Sequence, residues 1–473
     1  MTKRRPSSPL LPLGRRGFLQ ATAGAASAAL FGTGVSCSGS AAPRRPRNIV
    51  LITGDDLGWR DTSGLGNPNV STPNLDRLMR GGVSFSRAFD VTSTCASSRT
   101  TYVTGQYPHT HGVTALVHRN PELSLPVEQP TMATHLRGAG YHTVIEGKWH
   151  VAYPESPIPY GYDLSLRSYI LQWIFDSSRT QRFIEGSGAE PFYFEINYMN
   201  PHRDYFGAFN QHEDHPVDPG SLVIPDYYHL PDVPGFREEL AAYYSQVDRM
   251  DVMIGELIAA VEAQGVFDDT LFVFISDNGI AFPHNKQTVH DRGTGTPLFF
   301  HWPAGLPAGV VRDELVCSVD LMPTILDIAG VLIPDDVQGS SLRALLLDPA
   351  ATWERDAIFA EMTAHSGAPV PARSVRTDRY RYIRNYNDRP HSYDSSDMAW
   401  MQEIRAMNLP EYPWGQPRVP EELYDVLADP QEQTNLIADA AHADALEGLR
   451  ARLDAHMTAT ADPYLGQPFE TVT

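Results

Sequence analysis

At 473 residues the chain exceeds what one hydrophobic core normally serves, which predicts a large domain and a smaller one. Hydrophobic residues make up 42% and charged residues 20%, the balance of a globular protein and far from that of a disordered one. Lys and Arg number 37 against 57 Asp and Glu, a net charge of -20, which excludes general nucleic-acid binding because no basic excess is available to neutralise phosphates. An anionic ligand would have to be captured by local cations.

The N-terminus stands apart from the rest. Arg15-Arg16-Gly17-Phe18-Leu19, followed by a small-residue, weakly apolar run to Phe31, reads as a twin-arginine export signal over residues 1–37, with the twin-arginine translocase as its partner. The run is too short and too rich in Gly, Ala and Thr for a membrane span. Val35-Ser36-Cys37 partly matches a lipoprotein box, with Gly34 where Leu is usual. Two exported products stay open: a periplasmic protein, and one held at the cell surface by lipid on Cys37. Removing this segment takes away Lys3, Arg4, Arg5, Arg15 and Arg16 and no acid, so the remainder is more acidic still. Beyond Cys37 only Cys95 and Cys317 remain, which gives an exported protein no disulfide framework. Cys317, in Leu315-Val316-Cys317-Ser318-Val319, reads as a buried strand residue. Cys95 is flanked instead by Ser93, Thr94, Ser97 and Ser98.

After a linker over residues 38–46, Asn48-Ile49-Val50-Leu51-Ile52 is apolar, short and β-branched, the pattern of a buried strand, and runs into Gly54-Asp55-Asp56. A helix is predicted over Pro73 to Met79, with Thr72 as N-cap and Pro73 at the first position. Gln129 to Leu136 reads as a helix stopped at Gly138, and Tyr141 to Ile145 as the next strand. Pro191 to Asn197 is another buried strand, ending near Asn200-Pro201-His202-Arg203. From Arg237 to Gln264 the apolar positions Leu240, Tyr244, Val247, Met250, Met253 and Leu257 have helical spacing. The strand Thr270 to Ile275 follows, then Ser276-Asp277-Asn278-Gly279. This alternation predicts an α/β fold whose sheet is covered on both faces. From about Trp353 the texture changes. Ala372 to Ile383 alternates like a hairpin turning at Thr377-Asp378, residues 387–418 read as an irregular insertion, and a strand at Glu422 to Asp425 and a helix from Asp439 to Met457 close the chain.

Polar clusters follow the predicted strands. Asp55 and Asp56, Lys148 and His150, His202, and Asp277 and Asn278 all fall at strand carboxyl ends, where open α/β sheets place their sites. Asp55, Asp56, Asp277 and Asn278 offer hard oxygen donors, a set that suits Ca2+ or Mg2+ better than zinc, and crowding three carboxylates without a cation would be costly. Arg99 lies one helical turn after Cys95 if a helix begins there, and the N-terminus of such a helix favours an anion. Lys148, His150, His202 and Lys286 add charge and proton-transfer capacity. His118, His229 and His365 read as background.

Cys95-Ala96-Ser97-Ser98-Arg99 resembles the sulfatase motif Cys-x-Pro/Ala-x-Arg, whose cysteine is oxidised to formylglycine. Asn48 to Asp56, Cys95 to Val113 with Thr104-Gly105-Gln106-Tyr107-Pro108-His109, Gly140 to His150, Asp277-Asn278-Gly279, and Glu422 to Asp425 with Asp429-Pro430 and Asn435-Leu436 are similar to sulfatase blocks in family order. Asn200 to Arg203, Ala241 to Asp251, Ser276 to Pro283 and Gly295 to Leu298 are similar to the N-sulfoglucosamine branch. Ser97 departs from the family by replacing Pro, and Glu146 by replacing a small or apolar residue.

The resemblance implies an alkaline-phosphatase-like fold: a large mixed sheet covered by helices over 47–355, and a smaller α+β subdomain with an antiparallel sheet over 356–473. It also implies a chemistry. Formylglycine at Cys95, made by a dedicated maturation enzyme before export, is hydrated, and one oxygen binds a single Ca2+ held by Asp55, Asp56, Asp277 and Asn278. Arg99 polarises the hydrate; Lys148, Lys286 and His202 bind the sulfo group and assist departure of the amine or alcohol; His150 helps release sulfate. The expected substrate is a sulfated carbohydrate, with N-linked sulfate on glucosamine in heparin-type glycans favoured. An O-sulfatase, or a phosphonate or phosphate monoester hydrolase on the same scaffold, is the alternative, and an inactive glycan-binding protein is the reading of a different class.

Overall fold

The computed structural model describes residues 45–154, 156–167, 177–188, 190–203, 209–228, 230–391, 398–407, 409 and 415–472. The export segment with Cys37, nearly all of the linker, and His229 therefore lie outside the described residues.

The strands in chain order are β1 (Asn48–Asp55), β2 (Val83–Phe85), β3 (Ala88–Phe89), β4 (His142–Gly147), β5 (Leu164–Arg167), β6 (Phe192–Pro201), β7 (Thr270–Ser276), β8 (Leu298–His301), β9 (Val310–Arg312) and β10 (Val316–Cys317), then β11 (Ala357–Met362), β12 (Ala372–Thr377), β13 (Tyr380–Asn385) and β14 (Glu421–Asp425). Eight of them form one sheet in the order β5-β4-β6-β1-β7-β8-β2-β9. The run from β5 to β7 is parallel; β8 is antiparallel to both β7 and β2. β1 is buried along its whole length because it lies in mid-sheet with helices above and below. Alternation divides its side chains: Val50 and Ile52 join one core with the helix Pro234–Ala263, while Ile49 and Leu51 join another with the helices Cys95–Thr104, Met132–Gly138 and Leu321–Ile328.

Local chemistry changed the details of several predicted elements, although the helix after Thr72 starts at Pro73 as read. Thr72 makes no capping bond at the helix Pro73–Arg80; its hydroxyl donates instead to the Asp76 carboxylate at 3.0 Å. The helix after Gln129 starts at Met132, where Thr131 and Thr134 form a reciprocal cap, and it runs through Gly138 before turning at Gly140 with φ 94°. The hairpin turns at Asp378-Arg379, one residue later than predicted, because β12 keeps Thr377. The segment 387–418 is not irregular throughout, since Ala399–Met407 is a helix that buries Trp400, Met401 and Ile404. Cys317 is buried in β10, paired with β3.

The last four strands form an antiparallel sheet in sequence order. One face packs Val375, Tyr382 and Leu423 against Leu446, Leu449, Leu453 and Met457 of the helix Ala443–Ala459. The opposite face packs Met362, Ala372, Ile383 and Tyr424 against Val289. Through Val289 the small sheet braces a loop that returns to the large one, three residues beyond Lys286.

Candidate active site

β4, β6, β1 and β7 are consecutive parallel neighbours, so their carboxyl ends open on one edge of the sheet. The β1 and β7 ends are tied together: Asp56 N–H donates to Asp277 Oδ1 at 3.1 Å, Leu57 N–H to Ser276 Oγ at 3.0 Å, and Asn278 Nδ2 to Asp56 Oδ1 at 2.7 Å. At the end of β4, Gly147 has φ 90° and a Cβ there would collide with the Asn197 carbonyl, so only glycine lets the chain turn and direct Lys148 inward. Asp56, His150, His284 and Gln287 also have left-handed backbone, an uncommon state for residues with a side chain. All four fall at or beside the predicted site positions.

Cys95 opens the helix Cys95–Thr104, with Thr94 extended before it, and is buried. Its sulfur lies 4.0 Å from Asp56 Oδ1. Around it three cations face three carboxylates, all buried: Lys148 Nζ to Asp55 at 2.6 Å, Lys286 Nζ to Asp56 at 2.8 Å, and Arg99 to Asp277 at 2.8 Å. His202 Nε2 is 3.7 Å from Asp56. The structure thus brings Asp55, Asp56, Cys95, Arg99, Lys148, His202, Asp277, Asn278 and Lys286 into one cluster, with His150 two residues past Lys148.

Burial would push the Asp56 carboxyl up, but the charges of Lys286, His202 and Lys148 hold it at about 2. Asp277 goes the other way, to about 6, because burial and the neighbouring Asp55 charge outweigh Arg99. Burial drives the Cys95 thiol up to about 12 despite Lys148 and Lys286. An unmodified Cys95 is therefore a thiol at neutral pH and a poor nucleophile. His202 falls to about 4 through burial, only partly offset by Asp56.

The oxygen donors among these residues fit a hard cation. Asp55, Asp56, Cys95 and His202 each offer a ligand atom within 4.8 Å of the others. Asp55 Oδ1 and Asn278 Oδ1 are buried and accept no hydrogen bond, the condition of oxygens awaiting a metal rather than a proton donor.

Two histidines that the sequence left as background are here. His118 Nδ1 sits 3.0 Å from His150 Nε2, with the rings stacked at 5.2 Å. His365, on the loop between β11 and β12, adds its charge to the surroundings of both. The two loops are laced together: Leu116 N–H donates to the His365 carbonyl and Ala364 N–H to the Thr114 carbonyl, each at 3.2 Å. Glu146, by contrast, turns away from the cluster and accepts a hydrogen bond from Thr180.

The sequence profile named Sulfatase matches residues 47–331 of this chain. The chain belongs to the sulfatase family. A second profile, N-sulphoglucosamine sulphohydrolase, C-terminal, matches residues 282–404. This sulfatase is 30% identical to N-sulphoglucosamine sulphohydrolase of Homo sapiens, over 90% of this chain and 92% of the relative. It is 27% identical to an ulvan-active sulfatase of Formosa agariphila, over 78% of each chain. Among solved structures, one described as a complex with its substrate D-glucosamine-2-N,6-O-disulfate superposes with TM-score 0.70 at 21% identity, over 89% of this sulfatase and 99% of that chain. A 2-O glycosaminoglycan sulfatase gives 0.68 at 21% identity, over 91% and 95%. The expected alkaline-phosphatase-like fold is the fold observed.

Proposed function

We propose that this sulfatase removes sulfate from a sulfated sugar, with N-linked sulfate on glucosamine as its target, using formylglycine at Cys95 and one Ca2+ held by Asp55, Asp56, Asp277 and Asn278. The observation that carries the reading is Cys95 itself: a buried thiol, held protonated, with three cations and three carboxylates packed around it. Such a side chain has no use as a thiolate, and conversion to an aldehyde gives it one. When present, the aldehyde would supply an electrophilic carbon and the ion a positive charge beside it.

The chain's own residues do the rest. Arg99, fixed by Asp277, orients the converted side chain. Lys148 and Lys286 bring two buried charges to where sulfonyl oxygens gather charge in the transition state. His202, whose Nε2 faces Asp56, helps bind the sulfo group and assists departure of the amine or alcohol, and His150 accepts a proton as sulfate leaves. Similarity to the human N-sulphoglucosamine enzyme along most of its length supports the N-linked target. Similarity to ulvan-active sulfatases favours an O-sulfatase as the second reading. The sequence of residues 1–37 supports export by the twin-arginine route, with Cys95 converted before crossing, to the periplasm or to the cell surface through Cys37.

Mass spectrometry of the Cys95 peptide, together with sulfate release from glucosamine N-sulfate and from O-sulfated sugars, tests this. Unmodified thiol in protein from its native host refutes the mechanism. Release from O-sulfated sugars alone refutes the N-linked target.

A further inference from the structure

We propose that His118 is a positioning residue that fixes the tautomer of His150 and carries protons between that buried ring and water. The inference rests on the proposed function in one respect, that His150 exchanges a proton during turnover.

The geometry supplies the path. His150 is 2% exposed, and its Nε2 faces His118 Nδ1 at 3.0 Å. His150 Nδ1 is buried with no hydrogen-bond partner. His118 is only half-buried, so it connects the inner ring to solvent. One proton sits between the two facing nitrogens. If it belongs to His150, then Nδ1 of that ring is a bare acceptor; if it belongs to His118, His150 carries its proton on Nδ1 and is a donor. The outer ring thus decides which chemistry the inner ring can do.

Electrostatics explains why a partner is needed. Burial, then the charges of Lys148, His118, Arg99 and His365, holds His150 well below the usual histidine range. Burial, with Arg119, Lys148, His365 and His202, brings His118 to about 4. A lone buried imidazolium beside Lys148 is therefore disfavoured. With the pair, a proton arriving at His150 Nδ1 forms an N–H bond there while the bond at Nε2 breaks and a new one forms at His118 Nδ1. His118 releases its own Nε2 proton to water. One proton enters, one leaves, and His150 stays neutral; the reverse sequence resets both rings.

Two variants test this in the full-length enzyme with Cys95 conversion verified by mass. His118→Ala removes the partner, and His118→Asn keeps a hydrogen-bonding group near Nδ1 that cannot pass a proton on. With glucosamine N-sulfate as probe, kcat should fall about 100-fold in both while KM stays within about twofold, in the range of general acid–base losses. Added imidazole should restore part of the rate in His118→Ala only. Nitrogen-15 NMR should show His150 with its proton on Nε2 in the wild type and a changed tautomer in His118→Ala. Wild-type kcat in His118→Asn, or an unchanged His150 tautomer in His118→Ala, overturns the relay. If the converted wild type releases no sulfate, the parent function and the kinetic role fall together, and the NMR result then shows whether the histidine coupling was also wrong.

Discussion

Lys148 gives the sharpest test of the charge cluster. Lys148→Met keeps most of the side-chain volume and removes the charge that lies 2.6 Å from Asp55, with both groups almost fully buried. At that separation and an effective dielectric of about 20, the attraction is roughly 6 kcal/mol. Part of it is returned because Lys148 is no longer desolvated, so the net loss should be about 3–5 kcal/mol, the usual cost of stranding one member of a buried pair. Urea denaturation in EDTA measures it. Saturating Ca2+ should recover about 2–3 kcal/mol, because the ion restores a counter-charge to Asp55 that the wild type already has. By linkage the variant should then bind Ca2+ roughly 30–150-fold more tightly than wild type, by calorimetry. Sulfate release should meanwhile drop by about 100–1,000-fold, as for loss of a preorganised cation at developing charge. Tighter metal binding with weaker catalysis is the diagnostic combination. Equal or weaker Ca2+ binding, or stability in EDTA within about 1 kcal/mol of wild type, would refute the view that Lys148 and the ion share Asp55.

Two further expectations concern the seam between the large sheet and the C-terminal one. Arg381, 1% exposed, pairs with Asp291 and lies 3.0 Å from Glu432, so Arg381→Met should destabilise by about 3–5 kcal/mol in urea denaturation, and a loss below about 1 kcal/mol would contradict its role. His109 is pulled down by burial but raised overall by its bond to Glu361 and by the charges of Glu361 and Asp462. Its contribution is thus complete below the unfolded value of about 6.5 and lost as pH rises through the higher folded value, so the stability gap between wild type and His109→Gln should narrow from about pH 6 to pH 9. A gap that is constant or widens over that range contradicts the sign.

The sheet was legible because its strands are buried on both faces. Ile49 to Ile52 and Leu271 to Ile275 are continuous apolar runs, and Phe192 to Ile196 is broken only by Glu195; such near-continuity marks a central parallel strand in a way that a half-buried strand cannot match. β2 and β3 show the limit. With three and two residues they carry too little pattern to read, although β2 bridges two strands of the main sheet. Capping bonds were less legible than positions: the helix starts at Pro73 after Thr72 as read, but the Thr72 hydroxyl has a competing partner in Asp76.

The site was legible for a related reason. Residues that directly follow predicted strands can be placed on one edge without knowing any loop, which is how Asp55, Lys148, His202 and Asp277 came together. His118 and His365 follow no such rule. Each sits in an irregular loop, one after the helix Pro108–His111 and one between β11 and β12, and backbone lacing between 114–116 and 364–365 brings the two loops together. Nothing in either local sequence distinguishes them from His142, which stands in β4 beside Phe183. What makes His118 informative is its partner. A histidine on the rim is background until the ring it touches is buried, flanked by Lys148 and Arg99, and unable to hold a proton alone. The C-terminal sheet thus reaches the site through loops, His365 on one side and Val289, near Lys286, on the other, and these contacts are ones that strand patterns do not encode.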